Sequence, residues 1–268
     1  MKKDWYKDPA LVMRVKDEIV KWIRDWFEKN GPGCNAILGM SGGKDSTIAA
    51  ALIAEAIGAD KVIGVAIPDK GQGENGAKEI CEHLGIKYLV FPIENITGGF
   101  YGHLPNGQTL SVQAQQNIPP RIRMAVLYAL GQTLNARPCC TCNLSESYIG
   151  YETLFGDDAG SFAPLDNLTV TEVLAIGDAM GIPYEWVHKV PDDGLPHSCP
   201  DEEKFGFSYA TLDKYIRGLE EPDAETKAKI DRMHRNNLFK HQILHVPAFD
   251  PFEVRGQYTK VTDYADMD

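Results

Sequence analysis

Between residues 9 and 29 apolar side chains return every three or four positions: Leu11, Val12, Val15, Ile19, Trp22, Ile23, Trp26 and Phe27. That spacing is the stripe of a helix lying on a core, and Asn30-Gly31-Pro32-Gly33 stops it. The period then changes. A short apolar run at 35–38 meets a glycine-rich turn and an alanine-rich run at 47–57, which reads as strand, tight turn, helix. Residues 61–67 are apolar and β-branched and end at Pro68, a second strand; 69–73 read as a loop, 74–84 as a helix and 86–92 as a third strand. Residues 94–117, rich in Gly, Asn, Gln and Thr, read as a long loop of the size that often covers a ligand. Helical spacing resumes at 118–134, and 135–141 reads as a fourth buried strand. Strands alternating with helices predict an α/β fold, a doubly wound parallel sheet with helices on both faces and ligands outside the carboxyl ends of the strands. We read residues 1–268 as one domain, with a helical C-terminal segment near 208–240 and a tail at 241–268.

Composition narrows this little. With 268 residues, 43% of them hydrophobic, the chain can bury a large core. A net charge of −11 argues against a broad nucleic-acid surface, and no apolar run reaches the roughly 18 residues of a membrane span. The N-terminus lacks the hydrophobic segment of a signal peptide, so a cytoplasmic location is the expectation. The six cysteines lack the framework of a small secreted fold and are expected to be reduced. Cys139, Cys140 and Cys142 have C-x-C spacing suited to metal or sulfur chemistry, but no second pair completes four ligands, which favours a buried strand of small apolar residues.

The chemistry lies in Gly39-Met40-Ser41-Gly42-Gly43-Lys44-Asp45-Ser46. Paired glycines let backbone approach an anion, two hydroxyls add donors, and the following helix presents N–H groups and a favourable dipole. The Walker A pattern cannot be threaded through these residues. An acidic side chain in an anion loop makes sense when a cation accompanies the phosphates, so Asp45 points to Mg²⁺ on a nucleotide.

The S-G-G-x-D-S pattern resembles the pyrophosphate loop of N-type ATP pyrophosphatases, with their adenine nucleotide alpha hydrolase-like fold. Further on, Asn143-Leu144-Ser145-Glu146, Gly150-Tyr151-Glu152-Thr153 and Gly156-Asp157 resemble the second signature of NAD synthetases. So do Pro164-Leu165 before Leu168-Thr169, Pro191-Asp192-Asp193-Gly194-Leu195, and Asp201-Glu202-Glu203 with Phe205-Gly206-Phe207-Ser208-Tyr209. Asn117 to Met124, with Arg121 and Arg123, resembles that family's N-x-x-x-R-x-R-M helix start. The resemblance implies an ammonia-dependent NAD synthetase, in which the carboxylate of deamido-NAD attacks the α-phosphorus of ATP and ammonia then displaces AMP. It assigns Gly39, Ser41, Gly42, Gly43, Asp45, Ser46, Gln72 and Thr141 to ATP, and Asp45 and Glu146 to Mg²⁺. Arg121, Tyr128 and Asp157 fall to the dinucleotide, and Lys240 to a C-terminal segment closing over the phosphates. Asp45, Ser46 and Lys240 are the catalytic candidates. The family is dimeric, and the helices at 9–29 and 118–134 are expected at the interface.

One position departs from the family. A lysine commonly follows the Leu-Thr pair and reaches the phosphates, whereas this chain has Val170. Lys44 or Lys240 then covers that charge, or the ATP pocket is built differently; Lys44 sits at a variable position of the loop, where pointing to water is the plain alternative. About 33 residues precede the first strand, which leaves no room for an amidase and implies ammonia as nitrogen donor. The competing readings are a transfer-RNA-modifying pyrophosphatase and a non-catalytic nucleotide-binding protein.

Overall fold

The computed structural model describes residues 2–70, 76–104, 109–189 and 201–242. Four parallel strands form the sheet: β1 (Asn35–Gly39), β2 (Val62–Ala66), β3 (Lys87–Val90) and β4 (Ala136–Pro138), in the order β3-β2-β1-β4. The chain steps outward from β1 to β3, then returns to place β4 on the other side of β1. The loops after β1 and β4 therefore diverge at a topological switch point, where α/β sheets open a crevice.

Alternation along the strands sorts side chains to two faces. Ala36, Leu38, Val62 and Ala66 join one core with α1 (Pro9–Asn30), α2 (Lys44–Ile57) and α7 (Val170–Ala179). Ile37, Ile63 and Val65 join a second core with Val126, Ile122, Leu127 and Leu130 of α5 (Val112–Thr133). The periodicity of α1 is faithful: Val12, Val15, Ile19, Ile23 and Phe27 are buried, and Trp26 stacks on Phe162 at 4.8 Å between ring centroids. That face is used inside the subunit, so a contribution of α1 to a dimer interface would come from its other faces.

One correction concerns 94–117. Instead of a long loop, its described residues form α4 (Glu94–Gly102) and the first turns of α5, which starts six residues before the predicted 118. Tertiary hydrogen bonds override the glycines. Buried Thr97 donates to Asp69 at 2.7 Å, Tyr101 reaches the Gln115 carbonyl at 3.2 Å, and the Ser111 hydroxyl caps α5 by accepting from Ala114 N–H at 3.2 Å. Pro119 and Pro120 lie inside α5, one and two residues past the predicted start at 118.

β4 is shorter than the predicted 135–141. Cys139 N–H still donates to the Ile37 carbonyl of β1 at 2.9 Å, and the backbone then turns to Phe162, with Cys140 N–H donating to the Phe162 carbonyl at 2.9 Å. Cys139, Cys140 and Cys142 are buried free thiols, and no group of three or more His, Cys, Asp or Glu that could hold a metal exists among the described residues.

Beyond the sheet come α6 (Leu144–Ile149), α8 (Tyr184–Val187), α9 (Asp201–Phe205), α10 (Tyr209–Ile216) and α11 (Ala224–Asn237). Buried polar contacts bind them to the α/β core. Arg217 pairs with Glu172 at 2.6 Å, and Glu172 also accepts from the Trp5 indole at 3.1 Å. Ser145 donates to Asp213 at 2.5 Å, and the other Asp213 oxygen accepts from Thr171 N–H at 2.7 Å. Asp213 thus links α10 to α6 and to the start of α7. No helix is long and apolar enough to cross a membrane among the described residues.

Candidate active site

The phosphate loop occupies the turn between β1 and α2. Gly42 has φ +73°, a left-handed conformation that glycine adopts without a Cβ penalty, and Gly43 serves as N-cap of α2. Ser41 Oγ accepts from Gly43 N–H at 3.2 Å and lies 3.3 Å from Ser46 Oγ. The helix starts at Lys44 rather than 47, so Lys44, Asp45 and Ser46 form its first turn. Gly39, Ser41, Gly42, Gly43, Asp45 and Ser46 are thus gathered at one strand end.

The opposite wall comes from the segment after β4. Asn143 is fully buried and caps α6, its Oδ1 accepting from Glu146 N–H at 3.1 Å. Its Nδ2 donates across the crevice to Asp45 Oδ1 at 3.2 Å. One amide therefore fixes both predicted metal-binding carboxylates, with Thr141 half-buried just before it. Glu146 sits in the crevice; desolvation, then the Asp45 charge, push its carboxyl from 4.5 to about 8 against the opposing pull of Lys44.

Lys44 departs from the water-pointing alternative. Its side chain is 6% exposed and its Nζ lies 2.8 Å from Asp45 Oδ2. Burial alone would lower its pKa, but the charges of Asp45, Glu146 and Asp201 outweigh that and hold it above the ordinary value. The Tyr209 ring lies beneath it at 5.8 Å. The Tyr209 hydroxyl is buried without a hydrogen-bond partner among the described residues, and burial followed by the charges of Glu146, Asp201 and Asp45 raises its pKa. Asp201 accepts from the Tyr151 hydroxyl at 2.7 Å and pairs with Lys204 at 3.2 Å.

The expected dinucleotide residues lie to one side, around residues 151–161. Arg121 is exposed on α5 and donates through Nε to the Leu154 carbonyl at 3.1 Å. Tyr128, two turns along, is half-buried and bonded to Ser161. Asp157 Oδ1 accepts from Thr153 N–H at 2.6 Å, and its charge is felt at Glu146. Phe155, between Leu154 and Asp157, has φ +58°, a strained backbone for a bulky residue. Lys240 is engaged elsewhere than at the phosphate loop: its Nζ donates to the carbonyls of Gly150 at 2.6 Å and Glu152 at 2.7 Å, completing the C-terminal end of α6. Gln72 and Pro191 to Leu195 lie outside the described residues.

Sequence reasoning passed over three side chains. Asn143 was visible as an N-cap followed three residues later by Glu146. Tyr209 closed the Phe205-to-Tyr209 motif without an assigned role, and Lys189 gave no signal; Lys189 Nζ donates to the Gly42 carbonyl at 3.0 Å, directly on the phosphate loop. Val170, where the family commonly has lysine, is a buried apolar side chain whose N–H donates to Ser145 Oγ at 3.0 Å.

The NAD synthase family model matches residues 15–244. This chain belongs to the NAD synthase family. The NH(3)-dependent NAD(+) synthetase of Methanocaldococcus jannaschii is 36% identical over 209 residues, covering 76% of this chain and 80% of the relative. An NMN synthetase from Francisella tularensis superposes with a TM-score of 0.80 at 27% identity, covering 89% of this chain and 99% of that one. The NH3-dependent NAD synthetase of Campylobacter jejuni subsp. jejuni NCTC 11168 has a TM-score of 0.71 at 23% identity, covering 88% and 98%, and supports the fold. Membership removes the transfer-RNA-modifying alternative and explains why the strand-end motifs occur in this order.

Replacing Asn143 with Ala is expected to lower stability by about 0.5–2 kcal/mol through loss of the α6 cap, measured by urea unfolding. Asn143→Asp should keep most of that stability but oppose Asp45, so it should impair ATP cleavage more than folding. Equal loss of both in the two variants would show that the bridge to Asp45 is incidental.

Proposed function

We propose that the crevice between the β1 and β4 ends performs the family's ammonia-dependent amidation of deamido-NAD to NAD. The observation that carries this reading is the phosphate loop held against Glu146 by Asn143, with the Arg121, Tyr128 and Asp157 group beside it. The loop N–H groups and Ser46 receive the phosphates of ATP, with Lys189 at its rim. Arg121 and Tyr128 hold the dinucleotide so that its nicotinate carboxylate faces the α-phosphorus. That oxygen attacks phosphorus, pyrophosphate departs along the loop, and ammonia displaces AMP from the acyl adenylate. Catalysis is positioning and charge neutralisation, for which effective molarities supply much of the rate.

Two carboxylates fit Mg²⁺ arriving on a nucleotide, since Mg²⁺ keeps several waters and takes only one or two protein oxygens beside the phosphates. Asp45 and Glu146 would hold it, where it would neutralise charge developing on the phosphate oxygens. With free ammonium as nitrogen donor, purified enzyme should release AMP and form NAD from ATP and deamido-NAD, while glutamine alone should give none. The superposition on the Francisella NMN synthetase favours a second reading, the same reaction on nicotinic acid mononucleotide. Comparing kcat/KM for the two carboxylates decides between them, and AMP release with neither would reject both.

Because Glu146 is neutral below about pH 8, metal binding must expel its proton. Apparent Mg²⁺ affinity should rise as pH climbs towards 8, approaching tenfold per unit on the acid side, and level off above. In the metal-free protein the same group contributes stability that is full below 4.5 and lost as pH rises through 8. Glu146→Gln should weaken Mg²⁺ binding, flatten that pH dependence and slow AMP formation at least tenfold. A variant with wild-type Mg²⁺ affinity at every pH would remove Glu146 from the metal site.

We also infer a homodimer. Exposed apolar side chains gather on adjoining elements, Leu89 and Val90 on the edge strand β3, Ile96 and Phe100 one turn apart on α4, and Val112 at the start of α5. A second copy covering this face would shield an open sheet edge. Light scattering should give a dimer for the native chain and a monomer for the Ile96→Glu, Phe100→Glu double variant; an unshifted dimer would place the interface elsewhere.

A further inference from the structure

We propose that Lys44 is the resting occupant of the carboxylate crevice and exchanges with the divalent cation, its ammonium leaving Asp45 for the phosphates when metal and nucleotide arrive. This rests on the metal role of Asp45 and Glu146 proposed above. A lysine in the first turn of a helix opposes the dipole there, and burying it costs desolvation as well. Lys44 is nevertheless buried, with its ammonium on Asp45 Oδ2 and within the fields of Glu146 and Asp201. The other Asp45 oxygen is taken by Asn143, so the ammonium stands on the oxygen a metal ion would use.

Charge balance makes the two cations exclusive. Asp201 already has Lys204 and the Tyr151 hydroxyl, which leaves Asp45 and Glu146 to be neutralised. Lys44 alone balances Asp45 at rest, whereas a divalent ion held by both carboxylates would balance the pair and leave Lys44 surplus. Two such cations crowded onto one carboxylate repel strongly, since a partly buried site screens charge far less than bulk water does. The nearest uncompensated anion is then the triphosphate on the adjoining loop, which the flexible four-carbon stem of lysine can follow. A second observation marks the crevice as incomplete at rest: the buried Tyr209 hydroxyl beside Lys44 has no partner among the described residues, and an incoming phosphate oxygen or ordered water would satisfy it. The exchange makes metal binding depend on nucleotide, because Lys44 leaves Asp45 readily only when another anion receives it. It also supplies a phosphate cation in a chain that has Val170 near this wall.

The test uses Mn²⁺ as a paramagnetic probe of the full-length protein, with a non-hydrolysable α,β-methylene ATP analogue, and compares wild type, Lys44→Met, Lys44→Gln and Asp45→Asn. Wild type should bind Mn²⁺ weakly alone and far more tightly with the analogue. Lys44→Met should bind Mn²⁺ alone at least tenfold more tightly than wild type and metal-free analogue about tenfold more weakly. Lys44→Gln serves if the Met variant fails to fold, which circular dichroism will show. Mn²⁺ affinity unchanged or weakened in the folded Lys44 variant overturns the exchange. If Asp45→Asn abolishes Mn²⁺ binding while the Lys44 variants match wild type, only the exchange falls; if Asp45→Asn binds Mn²⁺ as wild type does, the metal site itself is wrong and both readings fall.

Discussion

The carboxamide of Asn143 is the constraint on which the crevice depends. It is buried beyond the reach of water, so each of its polar atoms needs a protein partner. Oxygen takes the Glu146 N–H and nitrogen gives to Asp45, an arrangement that leaves no choice of amide orientation because the partners are a pure donor and a pure acceptor. Loop and helix are thereby locked in register, with the Asp45 carboxylate tied to the start of the helix that carries Glu146.

What makes that contact possible is strand order. β1 lies between β2 and β4, so the loops leaving β1 and β4 part and the cleft opens between them. The helices behind the sheet carry little chemistry, yet they set the height of the cleft: α2 rests on α1 and α7, and Asp213 fastens α10 to the segment that begins with Ser145. Charge inside the cleft follows from packing as much as from residue type. Glu146 would be an ordinary acid on the surface; desolvated beside Asp45 it holds its proton to about pH 8.

The first three strands, the α1 stripe and the phosphate loop were legible because each is written in neighbouring residues. Periodicity marked the cores, and paired glycines marked the turn. The 94–117 region misled because Gly98, Gly99 and Gly102 suggest a loop, while the bonds that order the α4 helix reach back to Asp69 and across to Gln115. β4 was overextended because Cys139 and Cys140 have strand-like character, but past the Cys139 N–H the backbone finds Phe162 instead of β1. The motif residues could be named from sequence, and the structure brings the two carboxylates together. The inward turn of Lys44 was illegible, since the groups that stabilise it, Glu146, Asp201 and Tyr209, come from distant segments.

The separation of those segments has a consequence for synthesis. Asp45 and its Asn143 partner stand 98 residues apart, and β1 cannot pair with β4 until the chain has been made as far as residue 138. Contacts of such long range form late, because loop closure must precede their reward. At about 5–20 residues per second, a growing chain carries its phosphate loop for several seconds or more before the opposite wall exists. A nascent or truncated chain can offer nucleotide a glycine-rich cradle, but the second carboxylate and the amide that aligns the first are missing. ATP cleavage is thus tied to completion of the sheet.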